Sequence, residues 1–143
     1  MKFVNIGIAI ATFTSATILI NVNTSLAEVN TETAGFQTPT GNIHCINYNN
    51  QLRCDIKENT AKLPPQPKNC PLDWGNAFGM NLTGKPDRIC HGDTIISPEY
   101  PVLRYGQTWR KNGFTCTSKT TGLTCTNRNK KGWELSRTKQ RLF

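Results

Sequence analysis

Six cysteines in a chain of 143 residues constrain the fold more than any other feature of the sequence. An even number of cysteines in a short exported chain is typical of a disulfide framework, in which covalent bridges compensate for a small hydrophobic core. No C-x-x-C pair occurs and the spacings fit no zinc knuckle, so we expect no metal site. The six are Cys45, Cys54, Cys70, Cys90, Cys116 and Cys125.

Residues 1–27 have the pattern of an export signal. One lysine is the only charged residue before Glu28, and most residues between the two are apolar or small. Residues 25–27 have the small-x-small form that signal peptidase accepts, so we expect cleavage after Ala27 and a periplasmic or secreted protein. The alternative is an uncleaved membrane anchor, although this run is barely long enough to cross about 30 Å of hydrocarbon.

The remaining residues are enough for one domain. We expect a flexible polar leader at residues 28–35 and a single disulfide-rich domain at residues 36–143. Apolar residues make up 36% of the chain, and three Trp, three Tyr and six Phe argue against a disordered protein. The length excludes a multidomain enzyme and a large cofactor-binding α/β fold, and we expect no cofactor.

The spacing of the first two cysteines predicts that they pair. Eight residues separate Cys45 from Cys54, and the middle two, at 49–50, are asparagines that tolerate a two-residue hairpin turn. In that register Ile43 lies opposite Ile56, and both share one face of the strands with the cysteines. The turn, the cysteines and the isoleucines therefore agree on one hairpin.

The last two cysteines repeat this plan. Eight residues also separate Cys116 from Cys125, and placing them opposite each other sets threonines against threonines, which stabilises a hairpin. Cys70 and Cys90 remain, and we expect them to pair with each other. The opposed threonines are Thr115–Thr126 and Thr117–Thr124.

The segments between the hairpins predict further short strands. Residues 74–82 alternate in polarity, and residues 102–110 carry Leu103, Tyr105 and Trp109 at alternate positions, which is typical of a half-buried strand. No segment has helical periodicity, and the pattern predicts about eight short strands.

Two further segments complete the fold prediction. Four prolines in residues 57–73 exclude a helix or a central strand, so we expect an extended surface segment. A last hairpin over residues 133–143, with its turn at 138–139, sets Leu135 opposite Leu142. The chain is therefore predicted to be all-β, a small disulfide-stapled antiparallel barrel or sandwich built from hairpins.

Positive charge is concentrated near the carboxyl terminus. The whole chain carries +8, and residues 36–103 hold six basic and six acidic residues, whereas residues 104–143 hold ten basic residues against Glu134 alone. Many of the ten fall in predicted turns, and turns at one end of a sheet would gather them into one positive patch. The ten are Arg104, Arg110, Lys111, Lys119, Arg128, Lys130, Lys131, Arg137, Lys139 and Arg141.

Such a patch is suited to an anionic polymer, a membrane surface, an acidic protein or nucleic acid. The alternative is that the charges provide solubility and protect strand edges. For nucleic acid, we would expect Trp109, Trp133 or Tyr105 to stack on bases, although these side chains also fit a core.

The two histidines provide the catalytic candidates of the sequence. Strand alternation points His44, next to Cys45, away from the core face and toward solvent. His91 and Asp93 lie in a turn, where they would form an acid–base pair, or His91 would act with His44 in phosphodiester cleavage. No recognised catalytic motif occurs, which favours a protein without enzymatic activity.

Several short motifs follow one another through the chain. They are residues 36–45 (FQTPTGNIHC), 52–56 (LRCDI), 73–75 (DWG), 90–94 (CHGDT), 102–108 (VLRYGQT), 114–116 (FTC), 122–125 (GLTC) and 141–143 (RLF). Their order resembles an uncharacterised family of small exported bacterial proteins, a domain of unknown function. The resemblance implies a bacterial source and an exported six-cysteine domain, and it implies no activity, substrate or catalytic residue. The chain departs from the expected pattern at Thr40, where we expect serine, and near residues 131–133 (KGW), where we expect a Gly-x-Gly-Phe pattern.

These features favour an exported, non-catalytic β domain whose basic carboxyl-terminal half contacts an anionic partner at the cell envelope or outside the cell. One alternative is a small extracellular hydrolase, with a ribonuclease the first to test. Another is an inhibitor of an extracellular enzyme, in which a rigid hairpin enters an acidic cleft.

Overall fold

The computed structural model describes residues 34–143, so the predicted export signal and most of the predicted leader lie outside the described residues. The described chain contains ten strands and no helix. The strands are β1 (Gly35–Gln37), β2 (Ile43–Tyr48), β3 (Gln51–Ile56), β4 (Ala77–Asn81), β5 (Asp87–Arg88), β6 (Thr108–Lys111), β7 (Phe114–Lys119), β8 (Gly122–Thr126), β9 (Gly132–Leu135) and β10 (Gln140–Leu142).

The strands form two antiparallel sheets of five strands each. The first has the order β1-β2-β3-β4-β5 and the second β10-β9-β8-β7-β6, so both are meanders in which each strand pairs with its neighbours in sequence. Neither sheet closes on itself, and their apolar faces share one core. The predicted all-β class is confirmed, in the form of a sandwich.

The hairpin between β2 and β3 has the predicted register. Cys45 lies opposite Cys54 and Ile43 opposite Ile56. The turn at residues 49–50 places both asparagines at positive φ, 46° and 61°, as the right-handed twist of a two-residue hairpin requires.

The other two predicted disulfides also form. Cys116 lies opposite Cys125 in the β7–β8 hairpin, and both predicted threonine pairs are present. Cys70 and Cys90 are bonded to each other, with their Cα atoms 5.6 Å apart. This bridge joins the proline-rich segment to Cys90, two positions after the end of β5.

The core lies between the inner faces of the two sheets. Trp109 and Trp133 of the second sheet are fully buried. Trp109 packs on Phe36 of β1 with 5.1 Å between the ring centroids, and Trp133 packs on Phe78 of β4 with 6.2 Å between the centroids. Burial of each large apolar side chain contributes about 1.5–3 kcal/mol, so these four rings are a main source of stability.

Two of the three disulfides meet at the centre of this core. The sulfur atoms of Cys45, Cys54 and Cys125 lie within 4.8 Å of one another, so the Cys45–Cys54 bridge of the first sheet faces the bridge of the second. Because all three sulfur atoms are bonded in disulfides, they provide no thiolate to a metal.

The last hairpin differs from the prediction by two residues. Ser136 N donates to Lys139 O at 2.8 Å, so the turn is centred on residues 137–138 and Leu135 lies opposite Gln140. Leu142 lies opposite Trp133 instead of Leu135, and it packs against the core from there. The predicted register was wrong because the position of the turn sets the register, and the sequence has no cysteine pair to mark that position.

The predicted strand over residues 102–110 is also shorter than expected. Gly106 has a φ of 84° and Gln107 N donates to Arg104 O at 3.0 Å, which makes a turn in the middle of the predicted strand. Leu103 and Trp109 are fully buried as predicted, but Tyr105 lies on this turn and 46% of it is exposed. Side chains stop alternating between the two faces of a strand here, because the positive φ of Gly106 interrupts the extended conformation.

Candidate functional site

His44 is buried beneath a loop instead of facing solvent. Only 3% of it is exposed, because the chain at residues 94–100 crosses the outer face of the first sheet. Its Nε2 donates to Gly41 O at 3.0 Å, and its Nδ1 accepts from Ser97 N at 3.3 Å. The prediction of a solvent-facing His44 was wrong, and both ring nitrogens have structural partners.

His91 is held in a second, separate environment. Its Nδ1 donates to the backbone carbonyl of Asp93 at 3.0 Å, and its Nε2 lies 3.1 Å from Asn76 Oδ1. Asp93 thus contributes its carbonyl to His91 in place of its carboxylate. The two histidines share no hydrogen-bond partner, and the contacts of each connect loops to the first sheet.

Asp55 accepts several hydrogen bonds on this outer face, and sequence reasoning missed this residue. It is 1% exposed, and Arg53 donates to both carboxylate oxygens from Nε at 2.9 Å and Nη2 at 3.0 Å. Its Oδ2 also accepts from Thr94 Oγ1 at 3.3 Å and Ile95 N at 3.0 Å. The available signal in the sequence was the Arg-x-Asp spacing, which places Arg53 and Asp55 on the same face of one strand. The role of Asp55 is to anchor the crossing loop.

The basic residues do not gather at one end of the second sheet. Successive turns of a meander lie at alternate ends, so the β6–β7 and β8–β9 turns lie at one end and the β7–β8 and β9–β10 turns at the other. Lys119 and Arg137 therefore lie at the end opposite to Arg128 and Lys130. The basic residues that were predicted to form one patch therefore form two separate groups.

We call the first group the basic end, which is formed by the turns at residues 49–50, 82–86, 112–113 and 127–131. The turns are joined by side chains: Asn112 Nδ2 donates to Asn47 Oδ1 at 2.8 Å, and Asn127 Nδ2 donates to Gly84 O at 2.9 Å. Arg128 packs its side chain over Gly113. The cations in these turns are Lys85, Arg128, Lys130 and Lys131, and Lys111 ends β6 directly before the turn at 112–113.

Carboxylates are scarce around the turns of the basic end. Its four turns contain no acidic residue, and Asp87 directly follows one of them. Arg128, Lys130 and Lys131 are exposed, and none forms an ion pair with a carboxylate of residues 34–143.

Three basic residues elsewhere on the second sheet have acidic partners. Arg141 and Lys139 bind Glu134 at 2.6 Å and 3.2 Å, and Arg137 binds Glu58 at 3.4 Å. The hydrogen bonds from Arg141 and then Lys139 lower the pKa of Glu134 from its ordinary value of 4.5 to about 2. The positive potential of this face is therefore partly cancelled, unlike that of the basic end.

A cleft of about 690 Å³ opens at the opposite end of the sandwich. The first sheet contributes the β1–β2 loop and the residues after β3, and the second contributes the β7–β8 and β9–β10 turns together with Tyr105. Its volume lies within the range of about 300–1,000 Å³ that is typical of small-molecule sites. Sequence reasoning did not find this cleft, because its walls are distant in the chain.

The aromatic residues considered for base stacking lie in different places. Trp109 and Trp133 are fully buried in the core, so neither offers a face to a ligand. Tyr105 lines the cleft, and Tyr48 is 71% exposed beside the turn at residues 49–50 of the basic end.

The fold and its surfaces define a disulfide-bonded β sandwich with a basic end and a polar cleft. The chain matches a family of unknown function, DUF6636, over residues 16–143, and it belongs to that family. Comparison with the curated proteins and with the solved structures gave no match. In residues 34–143, no helix has the length and hydropathy needed to cross a membrane.

Proposed function

We propose that this protein is an exported, non-catalytic binding domain that recognises an anionic polymer of the cell envelope through its basic end. The observation that carries the proposal is a group of four cations, Lys85, Arg128, Lys130 and Lys131, on joined turns that contain no acidic residue. Three disulfides are consistent with an oxidising extracellular or periplasmic location, where such polymers occur.

The arrangement of the turns favours binding over simple solubility. Charges dispersed for solubility are usually interspersed with opposite charges, as Glu134 is among Arg141 and Lys139. Like charges placed on one surface repel one another, and an anionic ligand relieves that repulsion. The hydrogen bonds between the turns hold the charges in place, which lowers the entropic cost of binding.

The hydrolase alternative finds less support in the geometry. His44 and His91 are buried and occupied by structural hydrogen bonds, and within residues 34–143 the carboxylate of Asp93 forms no hydrogen bond with either ring. A general acid or base has to reach the proton that it transfers, which these rings do not do in this state.

The test is charge reversal at two matched pairs of exposed lysines. Lys130→Glu with Lys131→Glu changes the basic end, and Lys62→Glu with Lys68→Glu makes the same change in net charge on the proline-rich segment. Retention on immobilised poly-γ-glutamate is measured at about 0.15 M salt, where charges more than about 8 Å apart are screened. We expect the first variant to lose retention and the second to keep it. Equal loss in both variants would overturn the proposal, because net charge alone would then explain the binding.

A further inference from the structure

We propose that the cleft at the end opposite to the basic end binds a short segment of an acidic saccharide, a sugar chain that carries carboxylates. This inference goes beyond the proposed function, since it concerns a different surface and different residues. It follows from the hydroxyl groups, the aromatic face and the charges that the fold brings together in the cleft.

Hydroxyl groups dominate the lining of the cleft. A hydroxyl group can both donate and accept a hydrogen bond, which matches the hydroxyls of a sugar. Two of these groups also support the walls, since Thr38 Oγ1 accepts from Ile43 N at 3.1 Å and Ser136 Oγ accepts from Lys139 N at 3.0 Å. The lining hydroxyl residues are Thr38, Thr40, Thr120, Thr121, Ser136 and Thr138.

Tyr105 supplies an aromatic face beside these hydroxyls. It is 46% exposed although its turn is fixed, since Gly106 N donates to Ser118 O and Arg104 N to Gln107 Oε1, both at 2.8 Å. An aromatic ring presents an apolar face and, in tyrosine, a polar edge, so it can pack on the C–H face of a sugar ring while its hydroxyl bonds a neighbouring group.

The charge of the cleft selects an acidic sugar. Lys57, Lys119 and Arg137 line it together with one carboxylate, Glu58, which leaves an excess of two positive charges. Glu58 is paired with Arg137 at 3.4 Å, so the ammonium groups of Lys57 and Lys119 are the cations that remain for a ligand. One sugar carboxylate beside each of these two ammonium groups would complete the charge balance.

The walls of the cleft are already ordered without a ligand. Asn42 and Glu58 are joined by two hydrogen bonds, at 2.8 Å and 3.0 Å, which fix the β1–β2 loop to the chain after β3. Thr60 N donates to Arg137 O at 2.8 Å and fixes the β9–β10 turn in the same way. A preformed site avoids part of the entropic cost of ordering its side chains and loops.

The experiment is calorimetric titration of the protein, as exported, with trigalacturonate and with the neutral sugar maltotriose. We expect saturable one-to-one binding of trigalacturonate and much weaker binding of maltotriose. Equal affinity for the two sugars would overturn the assignment to an acidic saccharide, and no saturable binding of either would overturn the site.

Two tyrosines give a matched pair of variants. Tyr105→Ala is expected to weaken trigalacturonate binding about tenfold or more, as loss of an aromatic anchor does, whereas Tyr105→Phe keeps the ring. Tyr48→Ala removes an exposed tyrosine at the other end of the molecule and should leave the affinity unchanged. An equal effect of Tyr48→Ala would contradict the location of the site.

Charge variants separate this inference from the proposed function. Lys119→Gln should weaken binding of trigalacturonate while it leaves that of maltotriose unchanged. The variant with Lys130→Glu and Lys131→Glu should still bind trigalacturonate, because those lysines lie at the opposite end. If this variant loses the sugar, the cleft is not the site, although the basic end would remain an anion-binding surface.

Discussion

Single residues on the outer face of the first sheet decide whether the crossing loop stays in place. Asp55 was outside the sequence predictions because a charged residue inside a strand is usually a solvent-facing one. Its burial depends on residues about forty positions later in the chain, Thr94 and Ile95, whose approach no local pattern reveals. The same holds for Arg88, whose guanidinium donates to Gly75 O and to Gln140 Oε1 and so joins the edges of the two sheets.

Asp55→Asn is expected to lower the free energy of unfolding by about 2–4 kcal/mol, because it breaks a buried ion pair and leaves donors facing an amide group. Urea unfolding measures this change. The matched control is Glu58→Gln, which breaks an exposed ion pair and should cost less than about 1 kcal/mol. Similar losses in the two variants would show that Asp55 has no special part in holding the loop.

Individual hairpins show how far sequence reasoning extends. The registers of the β2–β3 and β7–β8 hairpins were predictable because each contains a cysteine pair that marks opposite positions, and an asparagine turn or opposed threonines agree with it. The β9–β10 hairpin has no such marker, and its register was predicted two residues away from the observed one. Two further strands, β1 and β5, have only three and two residues, too few for alternation to appear in the sequence.

The three disulfides are expected to differ in their resistance to reduction. Cys90 is exposed, whereas both cysteines of the Cys45–Cys54 bridge are fully buried, and attack by a thiolate requires access to sulfur. Brief treatment with a mild reductant, followed by alkylation and mass spectrometry, should therefore label Cys70 and Cys90 first. Early labelling of Cys116 or Cys125 would contradict this order. It would also mean that the sandwich opens before its outer bridge is reduced.

At the scale of the whole molecule, the meander topology separates basic residues that lie close together in the sequence. The excess of positive charge in residues 104–143 is real, but alternate turns send it to opposite ends of the sandwich. This division was within reach of sequence reasoning, because consecutive antiparallel hairpins imply alternating turns. The cleft was not, because it requires the relative placement of two sheets, which only the packing of core side chains such as Trp109 and Trp133 determines.

Salt dependence tests whether the basic end acts as one surface. For a single-stranded polyanion, each neutralised charge adds about 0.7 to the slope of log K against log salt, so four cations acting together give a slope of about −2.8. Oligothymidine is a suitable probe here, as a polyanion of known charge spacing, with binding followed by fluorescence anisotropy. The variant with Lys130→Glu and Lys131→Glu loses two of the four cations and gains two repulsive charges, so its slope should be no steeper than about −1.4. The control with Lys62→Glu and Lys68→Glu should keep the slope of the unmodified protein. A shallow slope in the unmodified protein, near −1, would mean that the cations do not contact one polymer together, and the turns would then be charged for solubility alone.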